Sequence, residues 1–282
     1  TLNLTGVNTY TGATTISAGT LAITGSGSLN SGSYAGAIAN SGAFIYSSSA
    51  TQTLSGIISG SGTLTKDTGS SSVLTLSNTN TYSGITTISA GTISIGADAN
   101  LGTAASLTAT QLTLSGGTLK TTTDLTLATN RGITLSTNGG TIEVANTTTI
   151  YGGTIAGTTT FTKSGTGTFV LTGTKTDTAS PTYVVIAAGT FTVRADAPNI
   201  NGQTFTGAGS LIIEPASVSF TTNPLDTSNI HLVGVTSGVA SSGVLGTLTI
   251  GKAGNLSTIN VSGDITTVGN QTFYGPVTLS AD

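Results

Sequence analysis

Apolar and polar residues alternate in short runs along most of this chain. Residues 1–5 (TLNLT) place Leu between polar residues, and residues 14–16 (TTI) and 20–23 (TLAI) form two more short runs. Alternation with a period of two is typical of a β-strand with one buried face. Gly, Asn and Ser separate the runs, and these residues favour turns. Apolar residues do not recur at the helical spacing over any useful length, so the pattern predicts an all-β protein.

A sequence repeat runs through this pattern of strands. Residues 2–23 (LNLTGVNTYTGATTISAGTLAI) and 74–95 (LTLSNTNTYSGITTISAGTISI) are identical at 14 of 22 positions without a gap. A more divergent third copy lies at residues 169–193, and shorter related segments lie at 58–77 and 155–173. Repetition on this scale is typical of solenoids, in which each unit stacks on the previous one.

A parallel β-helix explains both the short strands and the repetition, whereas a β-sandwich gives no reason for its sequence to repeat. Coils of roughly 20–25 residues would stack about 4.8 Å apart. Leu, Ile and Val would form columns inside the coils, and Thr and Ser would form columns outside. We expect roughly a dozen coils and a rod on the order of 60 Å long, with residues 1–282 forming a single repeat region.

The composition supports an ordered β-protein with a thin core. The chain contains 62 Thr, 34 Ser and 40 Gly, only 6% charged residues, and no Cys, Met or Trp. Thr, Ile and Val favour the pleated backbone. Without Cys, the chain must be stabilised by its ladder of backbone hydrogen bonds rather than by disulfides. Seven basic residues at a net charge of −3 argue against nucleic-acid binding, and no apolar run is long enough for a transmembrane helix.

Two segments carry a resemblance to known bacterial proteins. Residues 8–23 (NTYTGATTISAGTLAI) and 80–95 (NTYSGITTISAGTISI) closely resemble the autotransporter-associated β-strand repeat. Residues 269–282 (GNQTFYGPVTLSAD) resemble repeats of filamentous-haemagglutinin-like exoproteins. The resemblance implies a right-handed parallel β-helix that is extracellular, at the bacterial cell surface, and serves adhesion or biofilm cohesion. Because the chain begins at Thr1 without Met, we expect it to be a segment of a longer protein.

Proline is distributed unevenly along the chain. Residues 1–180 contain none, whereas Pro181, Pro198, Pro215 and Pro224 follow within 45 residues. Proline cannot donate a hydrogen bond to a strand ladder. We therefore expect residues 181–235 to be an irregular stretch with longer loops, and residues 245–282 to begin the haemagglutinin-like repeat.

Acidic residues are the first candidates for catalysis, because some β-helix proteins cleave polysaccharides with clustered carboxylates. Asp98 and Asp124 are 26 residues apart and Asp177 and Asp196 are 19 apart, so either pair could lie one coil apart. An even scatter of acids produces such spacings without function. A lone His231 cannot build a zinc site. We expect no enzyme activity and no catalytic, cofactor-binding or metal-binding residues. The ten acids are Asp67, Asp98, Asp124, Glu143, Asp177, Asp196, Glu214, Asp226, Asp264 and Asp282.

The remaining function classes are mechanical or adhesive. The leading hypothesis is a structural shaft segment of a secreted bacterial adhesin. A filament subunit that assembles end to end with identical chains is one alternative, and a carbohydrate- or ice-binding β-helix is another. Host-cell or matrix glycans are the candidate partners besides adjacent repeats. Tyr10 and Tyr82 occupy equivalent repeat positions, where we expect them to pack at a corner of the coil rather than form a sugar-stacking ladder.

Overall fold

The computed structural model describes residues 1–68, 71–104, 110–145, 147–176, 182–195, 203–220, 230–231, 245–257, 259–261 and 267–279. These residues form 33 short strands and two single 3-10 turns at Asn30–Gly32 and Asp98–Leu101. No helix among the described residues is long and apolar enough to cross a membrane.

The strands are two to six residues long. In chain order they are β1 (Leu2–Leu4), β2 (Val7–Asn8), β3 (Thr14–Ile16), β4 (Thr20–Gly25), β5 (Ser28–Leu29), β6 (Ser33–Tyr34), β7 (Ile38–Asn40), β8 (Ala43–Ser48), β9 (Gln52–Leu54), β10 (Ile58–Ser59), β11 (Thr63–Asp67), β12 (Val73–Leu76), β13 (Thr86–Ala90), β14 (Thr92–Ile95), β15 (Leu112–Leu114), β16 (Thr118–Thr121), β17 (Leu125–Leu127), β18 (Ile133–Leu135), β19 (Gly140–Val144), β20 (Thr148–Tyr151), β21 (Thr154–Ala156), β22 (Phe161–Ser164), β23 (Thr168–Leu171), β24 (Thr174–Thr176), β25 (Thr182–Ile186), β26 (Thr190–Arg194), β27 (Gln203–Thr206), β28 (Ser210–Glu214), β29 (Ile230–His231), β30 (Thr247–Ile250), β31 (Ile259–Val261), β32 (Gln271–Phe273) and β33 (Val277–Leu279).

Three long parallel sheets run the length of the solenoid, and each takes one strand from each coil. The first sheet has the order β1-β4-β8-β11-β13-β15-β18-β21-β24. The second has the order β6-β9-β12-β14-β16-β19-β22-β25-β27-β29, and the third has the order β17-β20-β23-β26-β28-β30-β32. Three small sheets complete the ladder: β3-β7-β10, β2-β5 and β31-β33. From β17 onward, successive strands enter the first, second and third sheets in turn.

The core consists of aliphatic columns that follow from the alternation in the sequence. On the second sheet, Leu74, Ile93, Leu119 and Ile142 lie in register and are fully buried. Burying one such side chain contributes about 1.5–3 kcal/mol. The preceding residues of these strands face outward and form a column of their own. These outward residues are Val73, Thr92, Thr118 and Thr141.

Glycine forms the bend between the two strand runs of each repeat copy. Gly19 and Gly91, at equivalent positions, have φ angles of 72° and 68°. Residues with a Cβ rarely adopt this left-handed conformation. The Ser-Ala-Gly turn seen in the sequence is therefore the corner at which the chain passes from one face of the coil to the next.

The prediction of an all-β parallel solenoid is confirmed. The structure has about 10 turns rather than a dozen. The difference arises because coils vary in length: Leu2 pairs with Leu21, 19 residues later, but Leu211 pairs with Leu248, 37 residues later. The right-handed sense stays a prediction.

The proline-containing stretch keeps part of the ladder. Strands β25 to β28 lie within residues 181–235, and Pro215 follows directly after the last residue of β28. The longest coil, from Leu211 to Leu248, begins here. The other three prolines of this stretch lie outside the described residues, so its irregular character stays a prediction, as does the boundary at residue 245.

Candidate functional site: the repeat coils

Each repeat copy closes one coil on itself. In the copy at residues 2–23, β1 pairs in register with β4, so that the first and last strands of the copy are neighbours. In the copy at residues 74–95, β12 pairs in the same way with β14. The partners are 19 residues apart in both copies, as Leu2 with Leu21 and Leu74 with Ile93 show. We call these segments repeat coil 1 and repeat coil 2.

Tyr82 of repeat coil 2 packs inside a corner of the solenoid. Its side chain is only 1% exposed, and its hydroxyl lies 2.7 Å from the Thr86 Oγ1. Burial raises the pKa of Tyr82 to about 12. Its main-chain oxygen accepts a hydrogen bond from the Thr103 nitrogen of the following coil at 2.9 Å. The expected corner packing is confirmed for Tyr82, whose ring is not available for sugar stacking.

Tyr10 of repeat coil 1 makes the same local contact but is less covered. Its hydroxyl lies 3.0 Å from the Thr14 Oγ1, and its side chain is 38% exposed. Its ring meets Tyr34 of the next coil edge to face, with centroids 5.5 Å apart. Tyr10 and Tyr82 therefore do not form a common exposed ladder.

Asn80 joins repeat coil 2 to the coils on both sides. Its side chain is buried, and its Oδ1 accepts a hydrogen bond from the Ile58 nitrogen at 2.8 Å. Its Nδ2 donates to the Asn100 oxygen at 2.6 Å. One amide side chain thus satisfies main-chain groups of the preceding and following coils, as buried polar groups require. The equivalent Asn8 donates to the Ser28 oxygen at 3.3 Å.

Gly84 lies where two coils approach most closely. A Cβ added there would fall much closer than 3.0 Å to the Gly62 oxygen of the preceding coil. At the equivalent Gly12, an added Cβ would meet nothing within 4 Å. The glycine of the repeat is thus required by close packing in repeat coil 2, but not in repeat coil 1.

Arg131 and Asp98 form a buried clamp that sequence analysis missed. The Arg131 Nε lies 2.8 Å from the Asp98 Oδ1, and the arginine side chain is 2% exposed. Its remaining donors bind the main-chain oxygens of Leu101 and Gly102, both at 2.9 Å. The Asp98 Oδ1 also accepts a hydrogen bond from the Ala128 nitrogen. The pair is 33 residues apart, and no local pattern in the sequence signals it.

The acidic residues considered for catalysis have structural partners instead. Asp124 accepts a hydrogen bond from the Thr148 nitrogen at 2.6 Å, whereas Asp98 belongs to the Arg131 clamp. The two carboxylates therefore serve different main-chain groups. Asp177 and Asp196 lie outside the described residues, and the structure describes His231 only as a main-chain position in β29.

Two further acids pair with bases across neighbouring strands. Glu143 accepts from Lys120 and Glu214 accepts from Arg194, both at 2.6 Å, and the members of each pair are register partners. Among the described residues, no three His, Asp or Glu side chains are grouped so that they could hold a metal ion.

A second feature missed by sequence analysis is the lysine within an inward column. Lys163 is fully buried, and its Nζ donates to the oxygens of Ser164, Gly165 and Ala188 at 2.7, 2.8 and 3.1 Å. Lys66, in the related segment upstream, is also fully buried. Burial lowers the pKa of both ammonium groups to about 8. These lysines bind the main chain of turns.

The first coil borders a cavity of about 490 Å³. The inward residues Leu2, Leu4, Ile16 and Leu21 line it, together with Tyr10. Its wall is the outer side of the apolar columns, and it contains none of the acids considered for catalysis.

The repeat coils coincide with the segments that match a known protein family. The family model of the passenger-associated-transport-repeat, a repeat of autotransporter passengers, matches residues 1–23 and 68–95. The predicted resemblance of the repeat is thereby confirmed, and it implies a secreted or surface-exposed protein. No curated protein and no solved structure matches the chain. The haemagglutinin-like resemblance of residues 269–282 stays a prediction.

Proposed function

We propose that this chain is a structural shaft segment of a secreted adhesin on the bacterial cell surface, without catalytic activity of its own. The observation that carries the proposal is the use to which the repeat residues are put. Asn80, Tyr82 and Gly84 all pack one coil against the next. The motif that recurs in the sequence thus builds the rod and leaves ligand recognition to other parts of the parent protein.

The charged residues support a mechanical role in the same way. Arg131 and Asp98 bind each other and the main chain, and Lys120 and Glu143 pair across a sheet. A catalytic pair of carboxylates would need both groups free to face a substrate. The described acids discussed above are engaged in holding coils together.

A binding assay with the isolated chain tests this function. Beads coated with residues 1–282 are offered to epithelial cells, matrix glycoproteins and a glycan array, with beads carrying the urea-unfolded chain as control. A shaft gives no saturable binding above the control, and electron micrographs show rods. Saturable binding that a free glycan competes away would overturn the shaft in favour of a carbohydrate-binding β-helix.

Assembly with identical chains is the second candidate function, and the first coil favours it. Leu2 and Val7 are 60% and 61% exposed beside the apolar cavity. A coil from a second copy could pair with the free edge of β1. Sedimentation over a concentration series tests this. A filament subunit elongates with concentration, and Leu4→Lys, which puts a charge in the cavity, stops this growth. The outward Asn3→Lys is the matched control that leaves growth intact.

Ice binding receives less support from the outward threonine columns. Thr92, Thr118 and Thr141 form one rank on the second sheet, but the next outward rank contains the Lys120–Glu143 ion pair. Two matched ranks of hydroxyls are therefore interrupted on this face. We expect no thermal hysteresis in dilute solution, and a measurable hysteresis would revive the ice-binding alternative.

A further inference from the structure

Register is the weakly specified property of this solenoid. Many strands have nearly interchangeable sequences, such as LTL in β15 and β17 and ITL in β18. A slip by two residues keeps every inward side chain inward, because side chains alternate with a period of two. The alternation of apolar and polar residues therefore cannot by itself select the observed pairing.

The repeat copies share their internal pairing but not their place in the fold. Repeat coil 1 closes on the first sheet, through β1 and β4, and repeat coil 2 closes on the second, through β12 and β14. The divergent copy at residues 169–193 closes on the third sheet, where Phe169 pairs with Phe191 and Leu171 with Val193. The common property of the copies is thus the closing of a coil in one register, on whichever face it begins.

The polar residues of repeat coil 2 tolerate only one register. Asn80 binds the Ile58 nitrogen and the Asn100 oxygen, and Tyr82 reaches the Thr86 hydroxyl within its own coil. A slip of two residues would bring a residue with a Cβ to the place of Gly84, where none fits against Gly62. It would also leave the buried main-chain groups at residues 58 and 100 unpaired, which costs about 1–3 kcal/mol each.

We propose that the repeat coils set the strand register for the low-complexity coils next to them. The aliphatic columns supply most of the stability in either register, and Asn80, Tyr82 and Gly84 select the native one. This role is independent of whether the parent protein is an adhesin or a filament.

Engineered disulfides can report the register, because the chain contains no cysteine. Thr75 and Ser94 are outward register partners in β12 and β14, so the pair Thr75→Cys/Ser94→Cys reports the native register. The pairs Thr75→Cys/Thr92→Cys and Thr75→Cys/Gly96→Cys report slips of two residues in either direction. Partners in register lie within disulfide reach, whereas residues displaced by two along the strand do not.

The test compares disulfide yields with and without the register-setting side chains. In the otherwise native chain, we expect the native pair to oxidise and the slipped pairs to remain reduced. In Asn80→Ala/Tyr82→Phe, we expect several-fold more of a slipped pair while far-UV circular dichroism stays β-rich. Tyr151→Phe is the matched control, because Tyr151 is equally buried and donates to the Thr154 oxygen outside the matched segments.

Two results would overturn the proposal. The first is a slipped yield that stays at the native level in a folded Asn80→Ala/Tyr82→Phe chain. The second is an equal rise in Tyr151→Phe, since that would assign register to general stability. If the double variant loses its β signal, Tyr82→Phe alone is measured. Loss of the β signal there too, without a slipped species, also counts against a register-setting role.

Discussion

At the scale of single residues, Arg131 takes on hydrogen bonds that a neighbouring strand would otherwise make. Its guanidinium binds the oxygens of Leu101 and Gly102 just before the third sheet begins at β17. A buried guanidinium is tolerated because the Asp98 carboxylate pairs with it in a forked geometry. The pair thus joins two parts of the coil where no strand ladder has yet formed.

Arg131→Ala leaves the Asp98 carboxylate and two main-chain oxygens without their donor. We expect a loss of about 3–5 kcal/mol, which is typical when one partner of a buried ion pair is removed. Lys120→Ala is the control, since the Lys120–Glu143 pair is about one-third exposed and such pairs contribute at most about 1 kcal/mol. Denaturation midpoints in guanidinium chloride compare the two. Equal losses would contradict the clamp.

The buried lysines predict an unusual dependence of stability on pH. Burial lowers the pKa of Lys163 from 10.5 to about 8, so between these values the unfolded chain binds more protons than the folded one. The free energy of unfolding should therefore rise as the pH increases from about 8. Above about pH 10 the trend reverses, because the unfolded tyrosines ionise while burial holds the pKa of Tyr82 and Tyr151 near 12.

Unfolding curves at several pH values between about 7 and 9.5 measure this effect. Lys163→Met should flatten part of the rise, since it removes one of the two shifted groups. Lys252→Met is the control, because Lys252 makes its hydrogen bond to the Ala216 oxygen at the surface. A rise that is unchanged in Lys163→Met would show that other groups cause it.

At the scale of elements, the same repeat residue has different neighbours in the two copies. Gly84→Ala puts a methyl group against the Gly62 main chain, and we expect a loss of about 1–3 kcal/mol from overpacking. Gly12→Ala adds the same methyl group in open space and should be neutral or stabilise by up to about 1 kcal/mol. Thermal unfolding of the two variants tests this, and equal effects would contradict the packing difference.

The elements also show what the sequence could and could not reveal. Alternation such as LNL and LTL correctly predicted short strands with inward Leu, and the repeat correctly predicted stacked coils. Alternation says nothing about pairing partners, so the closing of β1 on β4 was not predicted. The spacing of Asp98 and Asp124 suggested a relation that the structure replaces with two separate contacts. Lys163 was missed because a lysine inside an apolar column runs against the pattern that identifies the core.

At the scale of the whole molecule, each coil touches mainly the coil before and the coil after it. Stability in such an array is close to a sum of local terms. In the later coils, the aromatic rings of Phe161, Phe169, Phe191 and Phe205 pack with centroid distances of 5.7–6.1 Å. These rings lie far along the ladder from repeat coil 1.

Phe191→Ala should therefore destabilise the solenoid locally. Removing a buried phenylalanine costs about 3–5 kcal/mol, and here it also removes contacts to three other rings. In hydrogen exchange, we expect β23, β26 and β28 to lose protection while β4 and β8 keep theirs. Uniform loss along the chain would show that the solenoid unfolds as one cooperative unit.

The parallel ladder also determines how the molecule responds to pulling. Hydrogen bonds between coils run along the axis of the solenoid, so tension along that axis loads the bonds of one interface at a time. Coils are then peeled off in sequence at modest force. A coil such as the 21 residues from Leu112 to Ile133 occupies roughly 5 Å of the axis but releases roughly 70 Å of extended chain. Under sudden load the molecule lengthens and dissipates work instead of snapping, and each released coil can wind back when the tension falls.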